Sequence, residues 1–178
     1  MRVVAGTAGG RRLKSPSGSR LRPTSERVRE AVFASLGSLG AVESARVLDL
    51  FAGTGALGIE ALSRGAAAAT FVDSDREAVE TIRSNLEATG LTGTVVRSDA
   101  LRFLQETSET FDLALVDPPY AFEEWPTLLA ALPARLAVLE SGAEVEALPG
   151  WAILRARRYG DSVVTLARRQ EGFPCRSP

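Results

Sequence analysis

The chain has 178 residues, 45% of them hydrophobic and 24% charged, with a formal net charge of −1; this is enough to bury one core of ordinary size, and it excludes disordered and fibrous classes. No apolar run approaches the roughly eighteen residues of a membrane helix, and Met1 to Gly6 lacks the apolar centre of a secretory signal, so a cytoplasmic protein without a membrane partner is expected. Histidine is absent and the single cysteine, Cys175, stands near the end, which argues against hydrolase triads, zinc clusters and internal disulfides; no metal is expected.

Charge is unevenly placed. Residues 1–30 hold eight basic and two acidic groups (net +6), residues 31–150 seven and eighteen (net −11), and residues 151–178 six and two (net +4). Basic ends on an acidic body suit a polyanionic partner, because phosphate neutralisation supplies most non-specific nucleic-acid affinity. A set of solvated arginines would give the same count.

Residues 1–22, rich in Gly, Ser and Arg with short apolar runs at Val3-Val4-Ala5 and Leu13, predict a basic arm or small hairpin. Its candidate phosphate contacts are Arg11, Arg12 and Lys14. Pro23 and Thr24 then precede Val28, Ala31, Val32, Ser35 and Leu36 at helical spacing, predicting a helix from near Thr24 to Gly37. From Arg46 onward β-rich runs alternate with helical patterns. Strands are expected at Val47–Phe51, Thr70–Asp73, Thr94–Val96 and Phe111–Val116, with helices at 56–64, 76–89, 99–106 and 123–132. That alternation argues for a doubly wound α/β sheet. A further strand at Arg135–Glu140 and an antiparallel hairpin of Trp151–Arg157 with Ser162–Leu166 close the pattern. Residues 171–178 are expected to form a flexible tail.

The densest motif is Asp49-Leu50-Phe51-Ala52-Gly53-Thr54-Gly55-Ala56-Leu57-Gly58, a Gly-x-Gly-x-x-Gly turn leaving a strand and entering a helix, where glycine permits close approach of a nucleotide. Asp73 follows Gly53 by twenty residues, at the end of the next strand, where a carboxylate can accept ribose hydroxyls. The pair fits either a dinucleotide or an adenosyl cofactor. Asp49 favours the latter in the form of S-adenosylmethionine, since an acid beside the loop suits a cationic sulfonium and not a pyrophosphate. In Ser98-Asp99-Ala100 the carboxylate has two readings, adenine contact or helix N-cap.

Asp117-Pro118-Pro119-Tyr120 ends the fourth strand, at the sheet edge where ligands bind in such folds. An exocyclic amine has its lone pair delocalised into the base, so methylation is helped by acceptors that hold its N–H bonds and favour a pyramidal nitrogen. Asp117 offers one acceptor and the Pro118 carbonyl another, with the prolines stiffening the turn. Tyr120 is placed to stack on an extruded base.

At these motifs the chain resembles a known family. Arg22-Pro23-Thr24-Ser25-Glu26-Arg27-Val28-Arg29-Glu30, the segment Leu48 to Arg64, Asp117 to Tyr120 and Tyr159-Gly160-Asp161 are similar to the bacterial 16S rRNA (guanine-N2)-methyltransferases that act on guanine 966. The resemblance implies a Rossmann-like class I methyltransferase over residues 23–170, following a short N-terminal extension, with a seven-stranded sheet whose last strand is antiparallel. It implies a donor pocket of Asp49, Gly53, Gly55, Asp73 and Asp99, with neighbours Phe51, Thr54, Ser98 and Ala100, and a lid from Arg22 and Thr24. Asp117 to Tyr120 would hold the guanine, and Arg27 and Arg29 would join the arm in contacting phosphates. The implied partner is 16S rRNA in a partly or fully assembled small subunit, met by a monomer. Three other readings compete: a DNA adenine or cytosine amino-methyltransferase, for which the chain leaves little room for a recognition domain; an NAD-dependent oxidoreductase; and a non-catalytic RNA-binding assembly factor.

Overall fold

The computed structural model describes residues 1–15, 26–145 and 149–171. The expected lid residues Arg22 and Thr24, and the tail beyond residue 171, lie outside these. Strands β1 (Arg46–Leu50), β2 (Ala68–Asp73), β3 (Thr94–Arg97), β4 (Phe111–Val116), β5 (Ala134–Ser141), β6 (Trp151–Tyr159) and β7 (Ser162–Arg169) form one sheet in the order β3-β2-β1-β4-β5-β7-β6. The first five are mutually parallel, and β7 runs antiparallel to both β5 and β6. The expected doubly wound sheet with an antiparallel last strand is borne out. The order in which successive strands are laid down reverses between the parallel neighbours β1 and β4, which pair from Val47 opposite Leu113 to Leu50 opposite Val116. Open sheets of this kind bind ligands beyond the carboxyl ends of the strands at such a point.

Each central strand is apolar on both faces, as a parallel sheet covered by helices requires. Val47, Phe71, Leu113 and Leu115 face one core with α1 (Glu26–Ser38), α2 (Ala56–Ser63) and α3 (Arg76–Thr89). Leu48, Leu50, Val72, Ala114 and Val116 face a second core with α4 (Ala100–Glu106) and α5 (Trp125–Ala131). Among the described residues no helix is long and apolar enough to cross a membrane.

The N-terminal segment is a short hairpin packed into the body. Val3 N–H donates to the Arg11 carbonyl at 3.0 Å and Leu13 N–H to that of Met1 at 3.0 Å. Val3, Ala8 and Leu13 are buried in the core of α1 to α3. Its polar backbone is met by α2: fully buried Glu60 accepts from Val4 N–H at 2.7 Å and Ala5 N–H at 3.0 Å, and also pairs with Arg64 Nε at 2.7 Å. Ser63 Oγ accepts from Ala8 N–H at 2.9 Å and donates to the Ala5 carbonyl at 2.5 Å.

Candidate functional site

Four strand ends, of β1, β2, β3 and β4, deliver the site. At the end of β1 the chain turns through Phe51, a non-glycine residue at φ 58°, so the strand stops one residue before the expected boundary. Gly53 follows at φ 55°, and a side chain built there would meet nothing nearer than the Phe51 carbonyl at 3.9 Å. The glycine therefore serves backbone conformation and leaves open space above the loop. Gly58 serves packing instead, because a Cβ at that position would sit 2.3 Å from the Phe71 ring. Removing it would push α2 off the sheet. Gly55, at φ 74°, is the residue from which α2 starts.

Asp49 is 1% exposed, and its Oδ2 accepts from Gly58 N–H at 2.8 Å. Burial holds its carboxyl well above the usual carboxylate range against that hydrogen bond, and the negative charges of Asp117 and Asp73 push it further. A buried carboxyl beside two other acids favours a cation close by. Asp73 ends β2 with both oxygens engaged: Oδ2 accepts from Gly53 N–H at 2.7 Å and Oδ1 from Asp75 N–H at 2.9 Å. It anchors the glycine loop as well as facing the space above it. Each carboxylate oxygen has a second lone-pair direction for a hydroxyl.

Asp99 Oδ1 accepts from Arg102 N–H at 3.0 Å and caps α4. The capping reading is thus realised, and the other oxygen remains for a ligand. Ser98 is held by its N–H to the Asp73 carbonyl at 3.0 Å, and Ala100 is buried. Those contacts place the β3 end beside the β2 end.

Asp117 follows β4 directly, and its N–H reaches the Leu50 carbonyl at 3.5 Å. The acceptor expected for an amine therefore stands beside the end of the strand that carries Asp49. Pro118 is buried, whereas Pro119 and Tyr120 are exposed. The Tyr120 hydroxyl lies 3.0 Å from Ser162 Oγ, and its ring packs so closely on Gly142 that a Cβ there would sit 3.1 Å from Cδ1. Beyond this turn is a cavity of about 410 Å³ lined by Pro118, Pro119, Tyr120, Phe122, Trp125 and Gly142. Phe51 meets Phe122 edge-on at 5.3 Å, and Phe122 meets Trp125 at 5.4 Å. An aromatic chain thus joins the glycine loop to the cavity wall, a lining suited to a planar base.

The basic candidates separate. Arg12 and Arg27 are exposed. Arg11 donates to the Thr89 carbonyl and Lys14 Nζ to Ser84 Oγ at 3.0 Å, so these two cations lie on α3. Arg29 corrects the expectation of a phosphate contact. It is 1% exposed, donating to the Arg2 carbonyl at 2.6 Å and the Met1 sulfur at 3.3 Å. Burial lowers its pKa against the raising effects of Glu60 and Glu26. The signal was present: Arg29, Val32, Phe33 and Leu36 follow the spacing of one buried helical face.

Sequence reasoning also missed Asn85, which is fully buried on α3. Its Oδ1 accepts from Lys14 N–H at 2.8 Å, and its Nδ2 donates to the carbonyls of Lys14 at 3.1 Å and Thr54 at 2.9 Å. One amide thereby clamps the end of the hairpin to the glycine loop. A polar residue within the buried series Ile82, Asn85, Leu86 and Thr89 was the available hint.

The family described as Conserved hypothetical protein 95 matches residues 1–168. The Bacillus subtilis protein YlbH is 42% identical over 137 residues, covering 74% of this chain and 73% of that protein. Ribosomal RNA small subunit methyltransferase D of Escherichia coli is 43% identical over 122 residues, covering 67% of this chain and 60% of that protein. Among solved structures, the Escherichia coli protein yhhF superposes with a TM-score of 0.85 at 34% identity, covering 96% of this chain and 98% of that one.

Proposed function

The chain belongs to the family described as Conserved hypothetical protein 95, and from that membership we propose that it transfers a methyl group from S-adenosylmethionine to the exocyclic N2 amine of a guanine in small-subunit ribosomal RNA, the class of substrate named for its Escherichia coli relative. The observation that carries this reading is the placement of Asp117 where the strand order switches between β1 and β4, beside the end of the strand bearing Asp49 and next to Pro118 in the wall of a cavity of about 410 Å³.

The residues present suit the donor. Buried Asp49 favours a cationic group, Gly53 leaves room for it, Asp73 offers acceptors to ribose hydroxyls, and Asp99 and Ser98 stand where an adenine edge would lie, with Phe51 and Thr54 flanking the loop. When bound, S-adenosylmethionine supplies an electrophilic methyl carried on a positive sulfur. Asp117 accepts one amine N–H and the Pro118 carbonyl the other, which holds the nitrogen lone pair toward the donor side. Tyr120, fixed through Ser162, supports the extruded base. With no histidine in the chain, the displaced proton passes to solvent after transfer. The protein acts in the cytoplasm as a monomer on a partly or fully assembled small subunit, approached through the exposed cations of the hairpin and α1.

The test is parallel incubation of isotopically labelled S-adenosylmethionine with unmethylated small subunits, naked 16S rRNA and unmethylated DNA, followed by mapping of the modified base. Label on one guanine N2 is expected. Label on DNA, or RNA binding without transfer to any substrate, overturns the reading.

A further inference from the structure

Strand β6 is an edge of the sheet, and residues 153 to 158 are all exposed along it. Arg155, Arg157 and Tyr159 project toward α1 and with Ala31, Val32 and Ser35 line a narrow groove. Alternate residues of a strand lie about 6.7 Å apart on one face, so Arg155 and Arg157 form a short cationic row. Arg27 shares the α1 face of Ala31 and Ser35 through spacings of four.

The groove has a direction. Its outer end is marked by Arg155 Nη1, which donates to Ser35 Oγ at 3.1 Å. Its inner end lies at the catalytic edge for two independent reasons. Tyr159 pairs with Ser162, whose Oγ is 3.0 Å from the Tyr120 hydroxyl. On the helix side, Arg29 contacts the Met1 sulfur, which is also 3.8 Å from Thr54 Oγ1 in the glycine loop.

We propose that this groove carries the single-stranded RNA flanking the target base, with its phosphates held by Arg155, Arg157 and Arg27 and a base resting on the Tyr159 side. The proposal rests on the RNA-methylating reading above and adds where the strand runs. Charge selects the occupant. Some body arginines are matched by a carboxylate, Arg46 by Glu109 at 2.6 Å, Arg76 by Glu80 at 2.9 Å and Arg102 by Glu106 at 2.8 Å, while Arg83, Arg97 and Arg135 form no salt bridge among the described residues; the groove differs in setting its cations in a row beside an aromatic ring. Among the described residues no carboxylate forms a salt bridge with Arg27, Arg155 or Arg157. A second copy of the chain would bring the same positive row against itself, whereas a phosphodiester strand neutralises it. An apolar floor with arginine and one aromatic ring is also the composition that single-strand binding uses, combining backbone attraction with base stacking.

The experiment measures binding and single-turnover methylation of unmethylated 16S rRNA as a function of salt. It compares the wild-type protein, Arg155→Gln/Arg157→Gln, the charge-retaining Arg155→Lys/Arg157→Lys, and the remote control Arg46→Gln/Arg102→Gln, at two arginines already paired with carboxylates. The glutamine pair should bind more weakly, with the slope of log affinity against log salt smaller by about 0.7 per lost contact. The lysine pair and the remote control should keep the wild-type slope. Affinity for S-adenosylmethionine should be unchanged in all four, which separates a lost contact from a lost fold. Should the glutamine pair lose cofactor affinity as well, the single variants Arg155→Gln and Arg157→Gln decide: a smaller slope with cofactor affinity retained supports the groove, and wild-type slopes overturn it. An unchanged slope in a folded glutamine pair, an equal fall in the remote control, or a wild-type dimer abolished by the glutamine pair overturns the groove while leaving the methylating reading intact. Absence of methyl transfer by the wild-type protein to RNA or subunits overturns both.

Discussion

Asp73 is the residue at which binding and local structure are most closely joined, so replacing it separates the two. Asp73→Ala removes an acceptor for Gly53 N–H at 2.7 Å and for Asp75 N–H at 2.9 Å, and with them the acceptors offered to the ribose. Hydrogen bonds to a charged group contribute about 1.5 to 3 kcal/mol, which for the cofactor is a roughly tenfold to 150-fold weaker dissociation constant. The half-buried position lets water replace part of the loop contacts, so unfolding stability should fall by no more than about 1 to 3 kcal/mol. Asp73→Asn keeps one acceptor oxygen and should fall between alanine and wild type on both measures. Calorimetric titration with S-adenosylmethionine and urea unfolding of the three proteins supply the numbers. If the alanine variant binds the cofactor within about twofold of wild type while its stability drops, Asp73 anchors the loop and does not hold the ribose.

Asp117→Ala should lower single-turnover methylation roughly a hundredfold to a thousandfold with cofactor affinity preserved, and Asp117→Asn should lose less because an acceptor oxygen remains; equal loss of cofactor binding would move Asp117 into the donor pocket. Burial raises the Asp49 pKa, so the unfolded carboxyl ionises first and native stability falls as pH rises above about 4 toward the folded pKa. Asp49→Asn should remove that decline in the free protein and weaken cofactor binding, and an identical pH dependence of unfolding in the two proteins would contradict the assignment. Glu60→Ala strips the partner of Val4 N–H, Ala5 N–H and Arg64, so a loss of about 3 to 5 kcal/mol is expected, with faster amide exchange at Val4 and Ala5. A loss below about 1 kcal/mol would mean that the hairpin is held by its apolar contacts alone.

Much of the fold is legible because parallel strands and covering helices have distinct periods. Continuous runs such as Phe111 to Val116, separated by helical patterns, specify strand and helix with little help from distant contacts. The cofactor loop is equally local, since Gly53, Gly55 and Gly58 act through their own backbone geometry and their nearest packing. Asp49, Asp73 and Asp117 could be named because each lies at or within one residue of a strand's carboxyl end, and those ends converge in this topology. Neighbouring polar contacts are a different matter. Arg29 has the composition of a surface cation and the spacing of a core residue, and only the docking of Met1 and Arg2 over α1 decides between them. The roles of Asn85 and Glu60 could not be read from sequence because their partners lie 71 and 56 positions away, although the place of Asn85 in a buried helical series hinted at its burial. Local pattern therefore determined the sheet, the glycine loop and the three acids, all governed by short-range periodicity and backbone sterics. Tertiary structure alone decided which charges are buried, how the hairpin is fastened to the loop and which arginines line the groove, because burial and hydrogen bonding between distant segments exist only after the chain has closed on itself.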